Sequence, residues 1–236
     1  SAARYPWIRG IHVENRGFRK SGGGVVEAFN QGFRSLVHND WEFMVKLDGD
    51  LTFTPDYFEK CFEHFRHNMQ LGVGGGVICY VNDGVKTFEP CPAFHVRGAT
   101  KIYRRKCWED IGGFWPAPGW DTLDEVKANM YGWNTRSFPE LHIVHHRLTG
   151  SADGVWGGLI KNGRANYISG YHPIFMLAKC LSRLRRRETA RSAFGLMFGF
   201  LSGYIKQVPR VDDPQLIRYL RRQQLNRLFG LKSIWK

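Results

Sequence analysis

Phe43-Met-Val-Lys-Leu-Asp-Gly-Asp50 decides the fold: an apolar run stops at two acidic residues that one glycine separates. The β-favouring Phe and Val predict a buried strand, and Asp48 and Asp50 fall at its carboxyl end. In open α/β sheets ligands bind at that edge. Two adjacent carboxylates repel each other unless a cation lies between them, and oxygen ligands suit Mg²⁺ or Mn²⁺. The stretch therefore predicts a divalent-metal site that would carry a diphosphate, with an ordinary strand-to-turn junction as the alternative.

Helix and strand patterns alternate over the first 150 residues. Predicted helices cover 24–33, a segment opened by Thr54-Pro55, 105–111 and 121–131. Predicted strands cover 43–47, 73–81, 133–138 and 141–145. The alternation predicts an α/β fold with a mostly parallel sheet flanked by helices.

The beginning of the chain departs from the usual order of an α/β nucleotide-binding domain, which starts with a strand. Residues 2–7 resemble the end of a helix, and a short strand is predicted over 8–13. We expect a first strand–helix unit, roughly 30 residues or more, to be missing. No apolar signal segment opens the chain, and five scattered cysteines without a Cys-Xaa-Xaa-Cys pair indicate a reducing compartment.

The region 151–236 differs in charge and pattern from the body at 1–150. Helices are predicted over 172–187 and 189–206, and a last helix begins at Pro214 with Asp213 as its cap. Residues 179–236 carry 14 basic and three acidic side chains, whereas the rest of the chain carries 20 and 18. A basic region on a near-neutral body predicts an anionic partner. The apolar segment 193–205 is shorter than the about 20 residues that span a bilayer, so it would lie on a membrane or pack against the body.

Further motifs follow the acidic pair in a characteristic order. They are Asn15-Arg-Gly17, Ala28-Phe-Asn30, the segment 98–113, Gly119-Trp-Asp-Thr-Leu-Asp-Glu125, Gly132 and Val144-His-His-Arg147. With Asp48-Gly-Asp50 they resemble an inverting family 2 glycosyltransferase of the GT-A fold, over residues 5 to 150. The resemblance implies a hexosyltransferase-type enzyme that moves a sugar from a nucleotide diphosphate sugar to a glycan or lipid-linked acceptor. Its bacterial members build cell-surface polysaccharides and glycolipids, and their membrane-proximal C-terminal region resembles 151–236.

The resemblance implies roles for the acidic residues. Asp50 would bind Mg²⁺ or Mn²⁺ directly, and Asp48 would contact the metal or the donor ribose. Asp121 would be the general base, because inversion needs an acceptor hydroxyl deprotonated on the face opposite the leaving nucleotide diphosphate. Asp124 and Glu125 are rivals for that role. A plain N-terminal helix charge is the alternative for Asp121.

The resemblance also implies a histidine ligand to the metal or diphosphate at His145 or His146. Neighbours on a strand point to opposite faces, so only one of the two can face the site, and a structural histidine is the alternative. Arg147 would neutralise the diphosphate, or be a solvated surface residue.

Donor and acceptor contacts are expected on either side of these groups. The glycine-rich turn 19–24 precedes a helix, where backbone N–H groups and two cations would meet phosphate. The expected donor-binding residues are Arg19, Lys20, Gly23, Asn30, Asp48 and Arg147. The expected acceptor-binding residues are Trp115, Trp120 and Asp124, although the two tryptophans could equally be core.

The expected location is the cytoplasmic face of a membrane, with residues 179–236 on anionic lipid at about 1 kcal/mol per basic residue. A nucleic-acid-binding protein is the alternative that the arginine-rich helices suggest. The near-neutral body and the lack of a recognition motif speak against it, so no nucleic-acid partner is expected. A metal-dependent phosphohydrolase would need further carboxylates for a two-metal site.

Overall fold

The computed structural model describes residues 4–14, 17, 22–82, 84–89, 91–146, 154–185 and 190–235. These residues form eight helices and one six-stranded sheet. The helices are α1 (Gly23–Arg34), α2 (Tyr57–His67), α3 (Arg105–Ile111), α4 (Trp120–Met130), α5 (Gly154–Ile168), α6 (Pro173–Arg185), α7 (Ala190–Ile205) and α8 (Pro214–Leu228). The strands are β1 (Phe43–Leu47), β2 (Leu51–Thr52), β3 (Leu71–Asn82), β4 (Val85–Phe88), β5 (Thr100–Arg104) and β6 (Asn134–His145). The predicted α/β class is confirmed.

The sheet has the order β1-β5-β3-β6-β2, and β4 pairs with β3 outside this path. Strands β3 and β6 are parallel, but the other four described pairings are antiparallel. The mostly parallel pairing that we predicted is therefore wrong for the described strands. The strands that the sequence did not reveal, β2, β4 and β5, each pair antiparallel with a neighbour, and two of the four antiparallel pairings involve β5. Strand β5 lies between β1 and β3 and runs against both, so β1, β3 and β6 still share one direction.

Strand β3 is glycine-rich because β6 and the core approach it closely. A Cβ atom at Gly74 would lie 2.6 Å from the ring of Phe138, and one at Gly76 would overlap the carbonyl oxygen of Leu141. The two strands predicted over 133–138 and 141–145 are one strand, β6, whose register shifts opposite Gly76. Pro139 lies at that irregularity, where a residue without an N–H donor is tolerated.

The segment 8–13 is not a strand, contrary to our prediction. Its apolar side chains Ile8, Ile11 and Val13 are all exposed. A strand needs a partner for its backbone N–H and C=O groups. Among the described residues none pairs with this segment.

The helices after residue 154 pack on one another and on the body. Helix α5, which the sequence did not predict, meets α7 so closely that a Cβ at Gly163 or Gly199 would overlap the partner backbone. Leu123 and Val126 of α4 share a core cluster with residues of α5, α6, α7 and α8. As predicted, Asp213 caps α8, accepting a 3.0 Å hydrogen bond from the backbone N–H of Leu216. Within the described residues, every helix is too short or too polar to cross a bilayer.

Candidate metal and acid–base site

Strand pairing brings a histidine beside the two aspartates. The turn 48–50 joins β1 to β2, and Leu51 of β2 pairs with His145 of β6. As a result His145 Nε2 lies 3.4 Å from Asp50 Oδ1. One potential ligand atom each from Asp48, Asp50 and His145 lies within 4.8 Å of the others, the one such trio found in the described part of the chain. Two carboxylates and an imidazole suit a divalent ion such as Mn²⁺, so these three residues could hold one.

Only one residue of the histidine pair belongs to this trio. The ring of His145 stacks on Tyr80, with centroids 5.9 Å apart. His146 instead forms a 2.7 Å hydrogen bond between its Nε2 and the hydroxyl of Thr52. The two rings diverge, as expected for neighbours at the end of a strand. The metal-ligand role predicted for His146 therefore does not fit the structure, and His145 is the candidate.

Lys46 is a member of the site that the sequence analysis missed. Its ammonium group hydrogen-bonds Asp48 Oδ1, and it lies 5.7 Å from the ring centroid of Trp120. The side chain is nearly buried, whereas that of Asp48 is over one-third exposed. The signal was present, because residues two apart on a strand share a face and Lys46 precedes Asp48 by two.

Asp121 faces the same space as two members of the metal trio, Asp48 and His145. A cavity of about 180 Å³ is lined by Asp48, His145 and Asp121, together with Lys46, Arg97 and Trp120. Asp121 reaches it from the first turn of α4. Gly98 lies against that turn, and a Cβ there would be 3.1 Å from Cβ of Asp121 and 3.0 Å from the Trp120 ring. A larger residue at Gly98 would push Asp121 out of place.

A buried lysine binds the first turn of α4 from the interior of the protein. Lys101 is fully buried and its Nζ lies 2.9 Å from both carboxylate oxygens of Asp124. The same ammonium donates to the backbone carbonyl of Asp121, and the hydroxyl of Tyr103 donates to Asp124. Asp124 is therefore fully engaged and 3% exposed. The acceptor-binding role predicted for Asp124 is wrong, because the residue belongs to this support.

Glu125 is held in the same way by a second set of partners. His95 Nδ1 donates to Glu125 Oε2 over 2.7 Å, and the backbone N–H of Val96 donates to Oε1 over 2.7 Å. Lys101 Nζ lies 3.0 Å from Oε1. Burial lowers the pKa of His95, but Glu125 outweighs it, so the pKa of His95 lies above its ordinary value. Glu125, like Asp124, is inaccessible to an acceptor, which leaves Asp121 as the candidate base.

The charges around Asp121 keep it ionised. Burial alone would raise the pKa of Asp121, but the positive charges of His95, Lys101 and Arg97 outweigh this effect. The pKa of Asp121 therefore lies below its ordinary value. Its carboxylate is ready to accept a proton at neutral pH.

Arg97 is a second residue that the sequence analysis did not identify. It lines the cavity and its guanidinium hydrogen-bonds Glu89 Oε1, while Glu89 Oε2 is buried with no hydrogen-bond partner among the described residues. A planar guanidinium at this position suits a phosphate or carboxylate group. The sequence held no signal for it, because Arg97 lies in a loop outside any regular pattern.

The predicted acceptor tryptophans take different positions. Trp120 is 6% exposed, packs in a core cluster with Phe114, and also forms one wall of the cavity. Trp115 is half-buried and packs against the cluster of the C-terminal helices. The core alternative thus holds for Trp115, whereas Trp120 is both core and cavity wall.

The predicted donor residues are brought together only in part. Gly23 is buried at the start of α1, and Val25 two residues later lines the cavity, so this helix begins beside the site. Asn30 is roughly 10 Å further along α1 and lines a separate cavity of about 460 Å³ with Trp41 and Arg105. The structure does not bring Asn30 to the cavity of Asp48 and His145, so its donor-binding role stays a prediction. Arg19, Lys20 and Arg147 lie outside the described residues.

The mixed sheet, its helices and the acidic turn at the end of β1 define a GT-A-type α/β protein. No protein-family model matches the chain. The chain is similar to the mannosyltransferase PcManGT from Pyrobaculum calidifontis, solved with GDP-Man and Mn²⁺. The TM-score is 0.50 and the identity 15%, over 98% of this chain and 61% of that one. It is also similar to GalNAc-T7, solved with UDP, GalNAc and Mn²⁺, with a TM-score of 0.50.

For GalNAc-T7 the identity is 11%, over 89% of this chain and 41% of the other. At these identities the likeness shows the fold, and the GT-A-like architecture predicted from the sequence is confirmed. The chain spans less than two thirds of the length of either protein.

Proposed function

We propose that this chain carries the active site of a metal-dependent, inverting glycosyltransferase of the family 2 type. It would move a sugar from a nucleotide diphosphate sugar to a glycan or lipid-linked acceptor, in the synthesis of bacterial cell-surface polysaccharide or glycolipid. One observation carries the proposal: Asp48 and His145 of the metal trio line one cavity with the ionised Asp121. The solved neighbours support it, since both contain Mn²⁺ and one contains a nucleotide sugar.

The residues Asp48, Asp50 and His145 would hold Mg²⁺ or Mn²⁺. When bound, the ion would neutralise charge on the diphosphate of the donor. Lys46 and Arg97 face the same cavity and would supply positive charge to the same group. Lys46 pairs with Asp48, and Arg97 pairs with Glu89. When the donor binds, each cation would leave its carboxylate and contact a diphosphate oxygen instead.

Asp121 would act as the base on the acceptor. Its carboxylate takes the proton of the acceptor hydroxyl as that oxygen bonds to the anomeric carbon. The bond from this carbon to the diphosphate breaks on the opposite face, and the nucleotide diphosphate leaves with the electron pair. The lowered pKa of Asp121 makes it a weak base, so proton transfer must accompany bond formation rather than precede it.

The remaining parts of the proposal concern location. Residues 179–236 would hold the protein at the cytoplasmic face of a membrane, supported by their 14 basic and three acidic side chains. A lipid-linked acceptor would then be within reach of the site.

The experiment is a screen of nucleotide sugars for Mn²⁺- or Mg²⁺-dependent transfer or donor hydrolysis. Asp121→Asn should lower transfer by about 10²- to 10⁴-fold, the usual contribution of a general base. Asp50→Ala should abolish the activity, and adding Mn²⁺ or Mg²⁺ should not restore it. Asp212→Asn, at an exposed acid outside the site, is the matched control and should leave the rate unchanged. Full activity in both Asp121→Asn and Asp50→Ala would reject the proposal.

A further inference from the structure

Helices α6 and α7 expose a row of large apolar side chains. On α7 the exposed residues recur every three or four positions, as on one face of a helix. They are Phe194, Phe198, Leu201 and Ile205, with exposed fractions from 48% to 81%. The exposed residues on α6 follow the same spacing. They are Ile174, Leu177, Leu181 and Leu184, with exposed fractions from 43% to 60%. We call these eight residues the α6–α7 face.

Each of the two helices exposes four of these side chains and buries its other side. Helices α6 and α7 contact each other, and their opposite sides bury Phe175, Met176, Leu196 and Phe200 in one core cluster. The face is therefore not a by-product of poor packing, because each helix already has a complete buried side. Apolar patches beyond a few hundred Å² are unusual on a protein surface and mark contact sites.

The sequence that forms these helices and their neighbours is mostly basic. From residue 154 to 211 the sequence contains ten basic residues and a single acid, Glu188. Arg183 and Arg185 lie in the last turn of α6, and Arg191 is the second residue of α7. The guanidinium of Arg191 lies 5.7 Å from the ring centroid of Trp156 on α5. Lys206 follows the other end of α7.

We propose that the α6–α7 face lies in the headgroup layer of an anionic lipid bilayer. The apolar side chains would enter the boundary with the acyl chains, and the flanking arginines would contact lipid phosphates. Helix α7 has 16 residues, a length of about 24 Å, and its inner side is packed on α5, so it lies along the surface. The inference deepens the proposed function, on whose membrane location it rests, by naming the surface that makes the contact.

The charges of these helices argue against two other binding partners for the α6–α7 face, a second copy of the chain and nucleic acid. In a two-fold dimer the partner copy presents the same patch, and between residues 154 and 211 its sequence offers the arginines of these helices a single acid, Glu188. Nucleic acid would use the cations but not the aliphatic side chains of α6, because its affinity comes mostly from phosphate contacts. A bilayer with anionic headgroups satisfies both the apolar and the cationic part.

The test is flotation of the whole chain with vesicles of phosphatidylglycerol and phosphatidylcholine, compared with phosphatidylcholine alone. Phe194→Gln/Phe198→Gln should abolish flotation, and Arg183→Gln/Arg185→Gln should weaken it by roughly 30-fold at low salt. The matched control is Phe229→Gln/Leu231→Gln, two equally exposed apolar residues after α8, which should float like the parent. All variants change exposed side chains, and equal midpoints of thermal unfolding verify that they fold.

Several results would overturn the inference. One is flotation that survives Phe194→Gln/Phe198→Gln, or that is lost equally in the Phe229→Gln/Leu231→Gln control. Another is a dimer in the absence of lipid that Phe194→Gln/Phe198→Gln converts to a monomer. A third is RNA or DNA binding, at matched salt, that depends on the same two phenylalanines. Flotation needs no sugar donor and donor hydrolysis needs no vesicle, so failure of the membrane contact and failure of the proposed enzyme activity are distinguishable.

Discussion

The cavity has two sides that are built differently. The metal side consists of Asp48, Asp50 and His145, three partly exposed potential metal ligands that lie on a turn and at the end of a strand. On the base side (Asp121 with its buried neighbours), four fully or nearly buried charged groups surround one helical turn. They are His95, Lys101, Asp124 and Glu125. The metal side can adjust to an ion and a donor, whereas the base side is rigid before any ligand arrives. Variants that separate stability from ligand binding test this difference.

The largest expected effect is on stability, at the centre of the base side. Lys101→Met would leave Asp124 and Glu125 buried without their shared cation, which typically costs about 3–5 kcal/mol. Urea unfolding measures the loss. The matched control is Lys106→Met, because Lys106 forms an exposed pair with Asp110 and such pairs contribute less than about 1 kcal/mol. Equal costs for the two lysines would contradict a rigid, charge-supported base side.

A bound ion should stabilise the protein through the metal side. Mn²⁺ at 100 times its dissociation constant would add about 2.7 kcal/mol to the free energy of unfolding, seen as a rise in Tm. Asp50→Ala should lose the rise, whereas Asp121→Asn should keep it, since Asp121 lies on the other side of the cavity. If Asp121→Asn loses the rise as well, the division of the cavity into two sides is incorrect.

Gly98→Ala tests how closely the base side is packed. The new methyl group would lie within 3.0–3.1 Å of Trp120 and Asp121, and such overpacking costs about 1–3 kcal/mol. It should also lower the transfer rate by displacing Asp121. Gly32→Ala, in an open position on α1, should instead stabilise by about 0.5–1 kcal/mol, and both values come from thermal unfolding. If Gly98→Ala leaves the free energy of unfolding unchanged, the loop that contains Gly98 moves easily and the base side is not closely packed.

The smallest expected effect is the pH dependence due to His95. Because Glu125 raises the folded-state pKa of His95, this residue's stabilisation is complete below the ordinary value of 6.5. It is lost as the pH rises through the folded pKa. His95 should therefore make the free energy of unfolding decline just above pH 7. Asp124, with a pKa of about 6, has finished titrating there, and the opposite contribution of Lys179 begins only as the pH approaches its lowered pKa of about 8. His95→Gln should flatten this part of the profile, and an unchanged slope would contradict the pairing.

Sequence and structure agree best where the argument used local pattern. The strand that ends at Asp48, the helix that begins beside Asp121 and the cap at Asp213 were all recognisable from residue type and spacing. Prediction failed where residues distant in sequence determine the surroundings of a side chain. Asp124 was expected to meet an acceptor, but Lys101, 23 residues away in sequence, binds it in the core. Strand β5, which carries Lys101, escaped notice because its charged and aromatic residues lack the usual alternation.

The histidine pair shows the same division in one place. Strand geometry alone required that only one of His145 and His146 face the metal, because neighbouring side chains point apart. Which one does so depends on the pairing of β2 with β6.

The order of residues along this chain was sufficient for the α/β class, the acidic pair at a strand end and the uneven distribution of charge, because these are properties of neighbouring residues. The meeting of Asp48, His145 and Asp121 in one cavity, the burial of Asp124 and Glu125, and the exposure of the α6–α7 face were decided by tertiary structure. The physical reason is that burial and distance between remote residues arise only when strands and helices pack.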